Sequence, residues 1–446
     1  MTESMAEADR LSFLPLEIKL SILSRVEVRD AVRTSALAQS WRHLWTLLPC
    51  LRVAYTRDKL GVPGYDYDMT TSATWMERVH HLLSSLRGPI FDFQLIHYCL
   101  PYFVEDQSPL FQSLLDLGFL KGGLETLDFA IEWVDVVIHL PSFSSLKVLQ
   151  LSGCHVVLPV GFRGFRRLTT LDLHFVKISN DDLNLLIHTS NNLTTWVRLD
   201  CVPSDDSDSL SVHLNFPLLR HLDFSINEFI EEVSVISAPC LEQANISLSC
   251  TNYNPEKLAR IIFRLLTSVA TVSSLDLYVD VLEYLSIVAL PFNFTFPRLR
   301  CLKFLLNFDT MDHKMYDAFI WLIRSMPYLE ELEIELRNGD SSQTNSIATL
   351  MRELLVNKHD GFACLDQTLR SVTISMVGKF DVVASIPMIQ FFLLNANVLK
   401  LLKIEYSMIY ENALSMIEEL QKADVTSPNA KVVIFDRIYL FTINVK

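Results

Sequence analysis

Apolar residues recur along the chain in a short signature, L-x-x-L-x-L with substitutions, in which an alternating stretch begins three residues after a leading leucine. It occurs as LETLDF from Leu124, LKVLQL from Leu146, LTTLDL from Leu168, LRHLDF from Leu219 and LEQANI from Leu241. It continues as VSSLDL from Val272, LRCLKF from Leu299, LEELEI from Leu329, LRSVTI from Leu369 and LKLLKI from Leu399. LTTWVRL from Leu193 is a further copy with one extra residue, which predicts a bulge. Alternation at the end of each copy predicts a strand whose apolar side chains share one face.

Between these strands the rhythm changes to that of helices. Ser179 and Asn180 lead into DDLNLLIH, and Asn254-Pro255 opens EKLARIIFRLL with a cap and a proline at the first helical position. YDAFIWLIRSM from Tyr316, IATLMRELL from Ile347 and PMIQFFLLNA from Pro387 repeat the pattern. The copies at Leu124, Leu146 and Leu168 lie 22 residues apart, and later spacings stretch to 30 or 40. Strand then helix, many times over, predicts an α/β curved parallel-sheet solenoid of the leucine-rich-repeat kind, whose units must stack to bury their faces. Cys154 falls at the Asn/Cys position predicted by Leu146, Leu149 and Leu151, which assigns that thiol a structural place.

The first fifty residues differ. Leu14, Ile18, Ile22 and Val26 recur every four residues, with Leu23 beside them, as on an amphipathic helix with Pro15 in its first turn. Asp30 can cap a second helix through Val32, Arg33 and Ala36, and Ser40 to Leu48 reads as a third that Pro49 stops. A three-helix unit of roughly forty residues buries little surface and needs a partner or the rest of the chain to hold it.

Charge divides along the same line. The chain carries 38 basic and 52 acidic side chains, a balance of −14, yet Asp9 to Lys59 holds nine Lys/Arg against five Asp/Glu. The acidic whole argues against nucleic-acid binding by phosphate neutralisation. Only 12 glycines occur, which disfavours phosphate-cradling loops. No nucleotide, hydrolase, zinc-protease or kinase signature is present, so neither a catalytic residue nor a cofactor or metal site is nominated. The adjacent His80-His81 cannot both reach one metal from a helix, and Asp205, Asp206 and Asp208 lack the glycine and closing glutamate of a calcium loop. The eight cysteines are scattered singly and read as buried, reduced thiols. The acidic start MTESMAEADR, with no apolar run behind it and no membrane span in the chain, predicts a nuclear or cytoplasmic protein, not a secreted one.

At the head the chain resembles an F-box, the adaptor-binding motif of SCF-type ubiquitin ligases. The likeness lies in Leu14-Pro15, Glu17-Ile18, Ile22-Leu23, Asp30-Ala31-Val32-Arg33, Ser35, Leu37 and Ser40-Trp41-Arg42 with Leu44 and Trp45. Leu16 stands where the family has an acidic residue, and Gln39 where a basic one precedes the tryptophan. From about Leu365 to Tyr439, the phrase FFLLNANVLKLLKI and the helix–strand order resemble the FBD region of plant F-box proteins. The resemblance implies an F-box over 9–50, a connecting segment over 51–120, leucine-rich repeats over 121–360 and an FBD-like cap over 361–446. It implies a non-catalytic substrate receptor that docks a Skp-type adaptor, and through it cullin and RING subunits, while the repeats hold an unidentified protein target. Leu14, Pro15, Ile18, Ile22, Leu23, Val32 and Trp41 are the residues it assigns to adaptor contact or to the packing behind it. A basic head suits an acidic adaptor. Two other readings are a repeat scaffold with a vestigial F-box and a small-molecule co-receptor.

Overall fold

A computed structural model describes residues 11–55, 69–98, 108–131, 136–204, 209–248, 254–307, 312–337, 362–377, 382–406, 420, 430–436 and 440–444. The chain divides into two compact units, Met1–Leu210 and Ser211–Lys446.

The first unit opens with helices α1 (Leu16–Leu23) and α2 (Val28–Arg33), followed by 3-10 turns at Thr34–Ala36, Gln39–Trp41 and Leu44–Leu47. A third α-helix over 40–48 is therefore not formed. Its backbone closes three-residue turns instead, with Trp41 N–H donating to the Ala38 carbonyl and Leu48 N–H to that of Trp45. Asp30 does not cap α2 either, because Glu27 takes that position and Asp30 sits inside the helix, 3.1 Å from Arg33. Strand β1 (Cys50–Tyr55), helix α3 (Met69–Ser85), strand β2 (Asp92–His97) and helix α4 (Ser108–Leu120) follow. Then come β3 (Thr126–Ile131), β4 (Val137–His139), β5 (Val148–Ser152), β6 (His155–Val157), β7 (Thr170–Ile178), α5 (Asn180–Thr189) and β8 (Trp196–Pro203). The main ladder β1–β2–β3–β5–β7–β8 is parallel throughout.

The extra residue of the Leu193 copy is absorbed before the strand, so that Val197 pairs with Leu171 and Leu199 with Leu173. The register shift falls on β7 instead, between His174 and Val176, where Phe175 adopts a positive φ of 49°. Gly164, at φ +78°, turns the chain so close to α5 that a Cβ there would meet Thr189 at 2.4 Å.

The second unit begins with β9 (Leu210–Asn215), which pairs with β11 (Ile230–Ser237) as a separate two-stranded sheet. Its main ladder runs through β10 (His221–Ile226), β12 (Gln243–Leu248), β13 (Ser274–Asp280), β14 (Cys301–Asn307), β15 (Glu331–Arg337), β16 (Ser371–Val377), β17 (Leu401–Tyr406) and β18 (Lys431–Asp436), all parallel. Strand β19 (Leu440–Asn444) adds to β18 antiparallel. Helices α6 (Pro255–Ser268), α7 (Val281–Leu285), α8 (His313–Arg324), α9 (Ala363–Gln367) and α10 (Val382–Asn395) connect the strands.

Every signature copy lies on a strand, and register explains the pattern. The first alternating position forms one buried row from Leu222 through Ala244, Leu275, Leu302, Leu332 and Val372 to Leu402. The second forms another, from Phe224 through Ile246, Leu277, Phe304, Ile334 and Ile374 to Ile404. The leading residues, Leu299, Leu329 and Leu369 among them, are buried in the turns before the strands. Helix α6 lays Leu258, Ile262 and Leu265 inward against β11 and α7, and Asn254 Oδ1 caps it by accepting the N–H of Glu256 at 3.0 Å and of Lys257 at 3.2 Å. Ser179 caps α5 and Asp312 caps α8 in the same way. The helix expected from Ile347 lies outside the described residues.

Six cysteines are described and none forms a disulfide. Cys154, Cys201 and Cys364 are buried as expected, and burial pushes the thiol of Cys154 far up. Cys240 is exposed and Cys50 and Cys301 are half-buried, which corrects the expectation of buried thiols: Cys240 sits in the Ala238-Pro239-Cys240 turn after β11, outside the stacked rows.

The register of β13 against β14 slips between Leu277 and Asp280. There Asp280 Oδ2 accepts the N–H of Asn307 at 3.0 Å. Burial pushes the Asp280 carboxyl up to about 7, against the opposing pull of the Asn307 amide. A raised carboxyl value in the folded state means that the fold binds a proton the unfolded chain has already released. Stability from this group is present at low pH and is lost as pH rises from the ordinary carboxylate range to about 7. Asp280→Asn keeps an acceptor for Asn307 and removes the titration. Thermal unfolding at about pH 5 and about pH 8 should show the variant gaining on the wild type at the higher pH; an advantage that shrinks as pH rises contradicts this.

Candidate functional site

Two surfaces are candidates, one on the head and one on the strands. The head has a small core: Leu23 on α1, Ala31 on α2, Trp41 and Leu48 are each no more than 5% exposed, with Ala38, Leu44 and Trp45 packed around them. Lys19 is buried beside it. Its Nζ donates to the Ser12 carbonyl at 2.8 Å and lies 5.6 Å from the centre of the Trp41 ring, a cation–π contact that ties α1 to the turn after α2.

The seven sequence-nominated residues split between core and surface. Leu23 and Trp41 belong to the core, Leu14 and Val32 are half-buried, and Pro15 is exposed immediately before α1. Ile18 and Ile22 are 48% and 39% exposed. Four residues apart, they share one side of the helix. The stripe that reads as a core face thus points partly to solvent, and Val26 is exposed with it. A unit this small has no second layer to cover both sides of its helix.

Phe13, Leu16 and Leu37 are also exposed, and the four-residue recurrence of the head does not single them out. The signal that could have found them is the excess of apolar residues over what forty residues can bury.

The second surface comprises the alternate strand positions of the second unit, which the repeat signature leaves free. A shallow polar depression there is lined by Asp276 and Tyr278 on β13, Lys303 on β14, Glu331 and Glu333 on β15, and Thr373 on β16. Lys303 Nζ lies 2.6 Å from Glu333 Oε1 and 5.7 Å from the Tyr278 ring centre. Burial pulls its ammonium down, but the hydrogen bond and charge of Glu333 outweigh it and leave the group raised. Burial pushes the Asp276 carboxyl up, with Lys303 opposing. Such a face offers charged hydrogen-bond partners to a protein segment.

His80 and His81 are both exposed on α3. Among the described residues no group of three or more His, Cys, Asp or Glu could hold a metal, and no helix is long and apolar enough to cross a membrane. Asp205, Asp206 and Asp208 lie outside the described residues.

Parallel strands in register, joined by helices and closed over leucine rows, define an α/β leucine-rich-repeat fold. Residues 119–334 match the family model described as "FBD-associated F-box protein At5g56370, LRR repeats". Among curated relatives, F-box/FBD/LRR-repeat protein At1g13570 of Arabidopsis thaliana is 25% identical over 338 residues, 73% of this chain and 76% of the relative. F-box/FBD/LRR-repeat protein At3g26920 of the same plant is 24% identical over 359 residues, 74% and 76% of the two chains. Putative F-box/FBD/LRR-repeat protein At5g56810, also from Arabidopsis thaliana, is 25% identical over 465 aligned residues, 94% and 95% of the two. These matches bear out the resemblance to plant F-box/leucine-rich-repeat/FBD proteins.

Leu23→Ala should cost about 2–5 kcal/mol locally, because it opens a cavity in a core with few other members. Hydrogen exchange measures it: amides of α1 and α2 should exchange faster while those of β13 to β16 do not change. Unchanged exchange in the head would contradict the packing described.

Proposed function

We propose that this chain is the substrate-recognition subunit of an SCF-type E3 ubiquitin ligase. Residues 9–50 act as its F-box, 51–120 connect it, 121–360 form the repeats and 361–446 an FBD-like end cap. The head docks on a Skp-type adaptor and reaches cullin and RING subunits through it. The chain itself contributes no catalytic group; it raises the local concentration of a target's lysines near a charged E2. The observation that carries this reading is the pair Ile18 and Ile22, apolar and exposed on a helix held by Leu23 and Trp41. Exposed apolar residues on a small basic head suit burial against an acidic partner. Leu14, Pro15 and Val32 flank them or support the helix ends, and the polar strand face is the place for the target.

The test uses the full chain and a purified plant Skp-type adaptor. Ile18→Glu with Ile22→Glu changes two exposed residues and should lower adaptor capture by at least about tenfold, with circular dichroism unchanged. Leu14→Ala with Pro15→Ala should weaken capture in the same direction. A wild type that captures no adaptor, or a double variant that captures it undiminished, overturns the reading in favour of a scaffold with a vestigial F-box.

A further inference from the structure

A groove in the first unit is lined by Leu23 and Val32 of the residues assigned to the adaptor but extends away from the exposed pair Ile18 and Ile22. One wall is the end of α1 and the exposed side of α2, with Val26, Val28 and Val32; the other is β1 and helix α3, with Val53 and Leu82. Ile18, Ile22, Leu14 and Pro15 do not line it. Five arginines do: Arg25, Arg29, Arg33, Arg52 and Arg78. Two are already engaged, Arg33 with Asp30 at 3.1 Å and Arg52 with Asp92 at 2.5 Å. Arg25, Arg29 and Arg78 are exposed and make no ion pair with any described residue. Among the described residues that line the groove, Glu27 is the one acidic side chain.

The groove's far end is aromatic. Tyr55 on β1 and Trp75 on α3 have ring centres 5.6 Å apart, and both pack on His97, at 4.8 and 5.2 Å. His97 is fully buried, and burial lowers it to about 4, so this end is uncharged at neutral pH. Three guanidinium groups that pair with no described residue, beside valines and an aromatic cluster, make a surface for a ligand that is both anionic and apolar. Guanidinium forks favour carboxylates or phosphates in bidentate geometry, and the valine and ring contacts favour side chains over a bare phosphate backbone. The −14 charge of the whole chain also opposes a polyanion the length of a nucleic acid.

We propose that this groove binds an acidic peptide segment of a protein partner, one in which Asp or Glu alternates with Leu or Phe. Carboxylates of the segment pair with Arg25, Arg29 and Arg78, and an apolar side chain packs on Trp75. The groove shares Leu23 and Val32 with the adaptor set, so the test uses variants at Arg25, Arg29 and Arg78 for the peptide and at Ile18 and Ile22 for the adaptor, which separates the two.

Fluorescence anisotropy with the full chain measures binding of a labelled Glu/Leu/Phe peptide, against a Lys-for-Glu peptide, a single-stranded oligonucleotide and vesicles of anionic lipid. The acidic peptide should bind, weaken with added salt, and lose at least about tenfold in affinity in the variant Arg25→Glu, Arg29→Glu, Arg78→Glu. Replacing the same arginines by lysine keeps the charge and removes the bidentate fork, so binding should fall between that of the wild type and the charge-reversed variant, and Ile18→Glu with Ile22→Glu should leave it unchanged. Thermal unfolding of each variant distinguishes lost binding from lost fold. Equal binding of the Lys peptide, no loss in the charge-reversed variant, or preferential binding of oligonucleotide or vesicles overturns the proposal.

Discussion

The rest of the structure depends on the continuity of two buried rows of side chains from strand to strand. No single repeat can hide its leucines, because each strand offers one apolar face and has nothing of its own to set against it. Stacking in parallel register places Leu302 between Leu275 and Leu332, and Phe304 between Leu277 and Ile334, each almost wholly removed from water. Burying a side chain of this size contributes roughly 1.5–3 kcal/mol, so a slip of one residue would expose a whole row at once. Register is therefore fixed by the apolar positions, and the loops and helices between strands are free to vary in length.

The same constraint creates the candidate surface on the strands. With one set of alternate positions committed to the core, the other set is held outward at the spacing of neighbouring strands, whatever its chemistry. Asp276, Lys303, Glu333 and Thr373 line one shallow depression for that reason, and Glu333 raises the affinity of Lys303 for its proton despite burial. The head obeys the opposite rule. Its core of Leu23, Ala31, Trp41 and Leu48 is too small to absorb its apolar residues, so Ile18 and Ile22 remain outside.

This contrast also decides what could be read from the sequence. All the signature copies lie on strands because apolar residues at the third and fifth positions after the leading residue meet both row requirements, and the two-residue step between them is a strand spacing that a helix does not place on one face. The capping residues Ser179 and Asn254 were legible too, since a short side-chain acceptor ahead of an apolar-periodic run has few other uses. Strands β1 and β2 carry a disguised signature: Leu48 leads Leu51 and Val53 at the repeat spacing but also reads as the end of a head helix, and in β2 Ile90 and Phe93 replace the first two leucines, so pairing of β1 with β2 and of β2 with β3 reveals them as part of the ladder. The third head segment reads as a helix from its leucines and tryptophans, yet periodicity does not distinguish a four-residue turn from a three-residue one in so short a piece. Of the head, the apolar positions were legible and their exposure was not, because a stripe of apolar residues looks the same whether it faces a core or solvent.

The account rests on a division of labour between an outward-facing apolar helix at one end and a polar strand face elsewhere. Hydrogen–deuterium exchange of the full chain, with and without saturating Skp-type adaptor, tests it most directly. The account predicts slowed exchange in the head, centred on the helix carrying Ile18 and Ile22, and no change across the strands around Lys303 and Glu333. Protection of those strands with the head unaffected would contradict it.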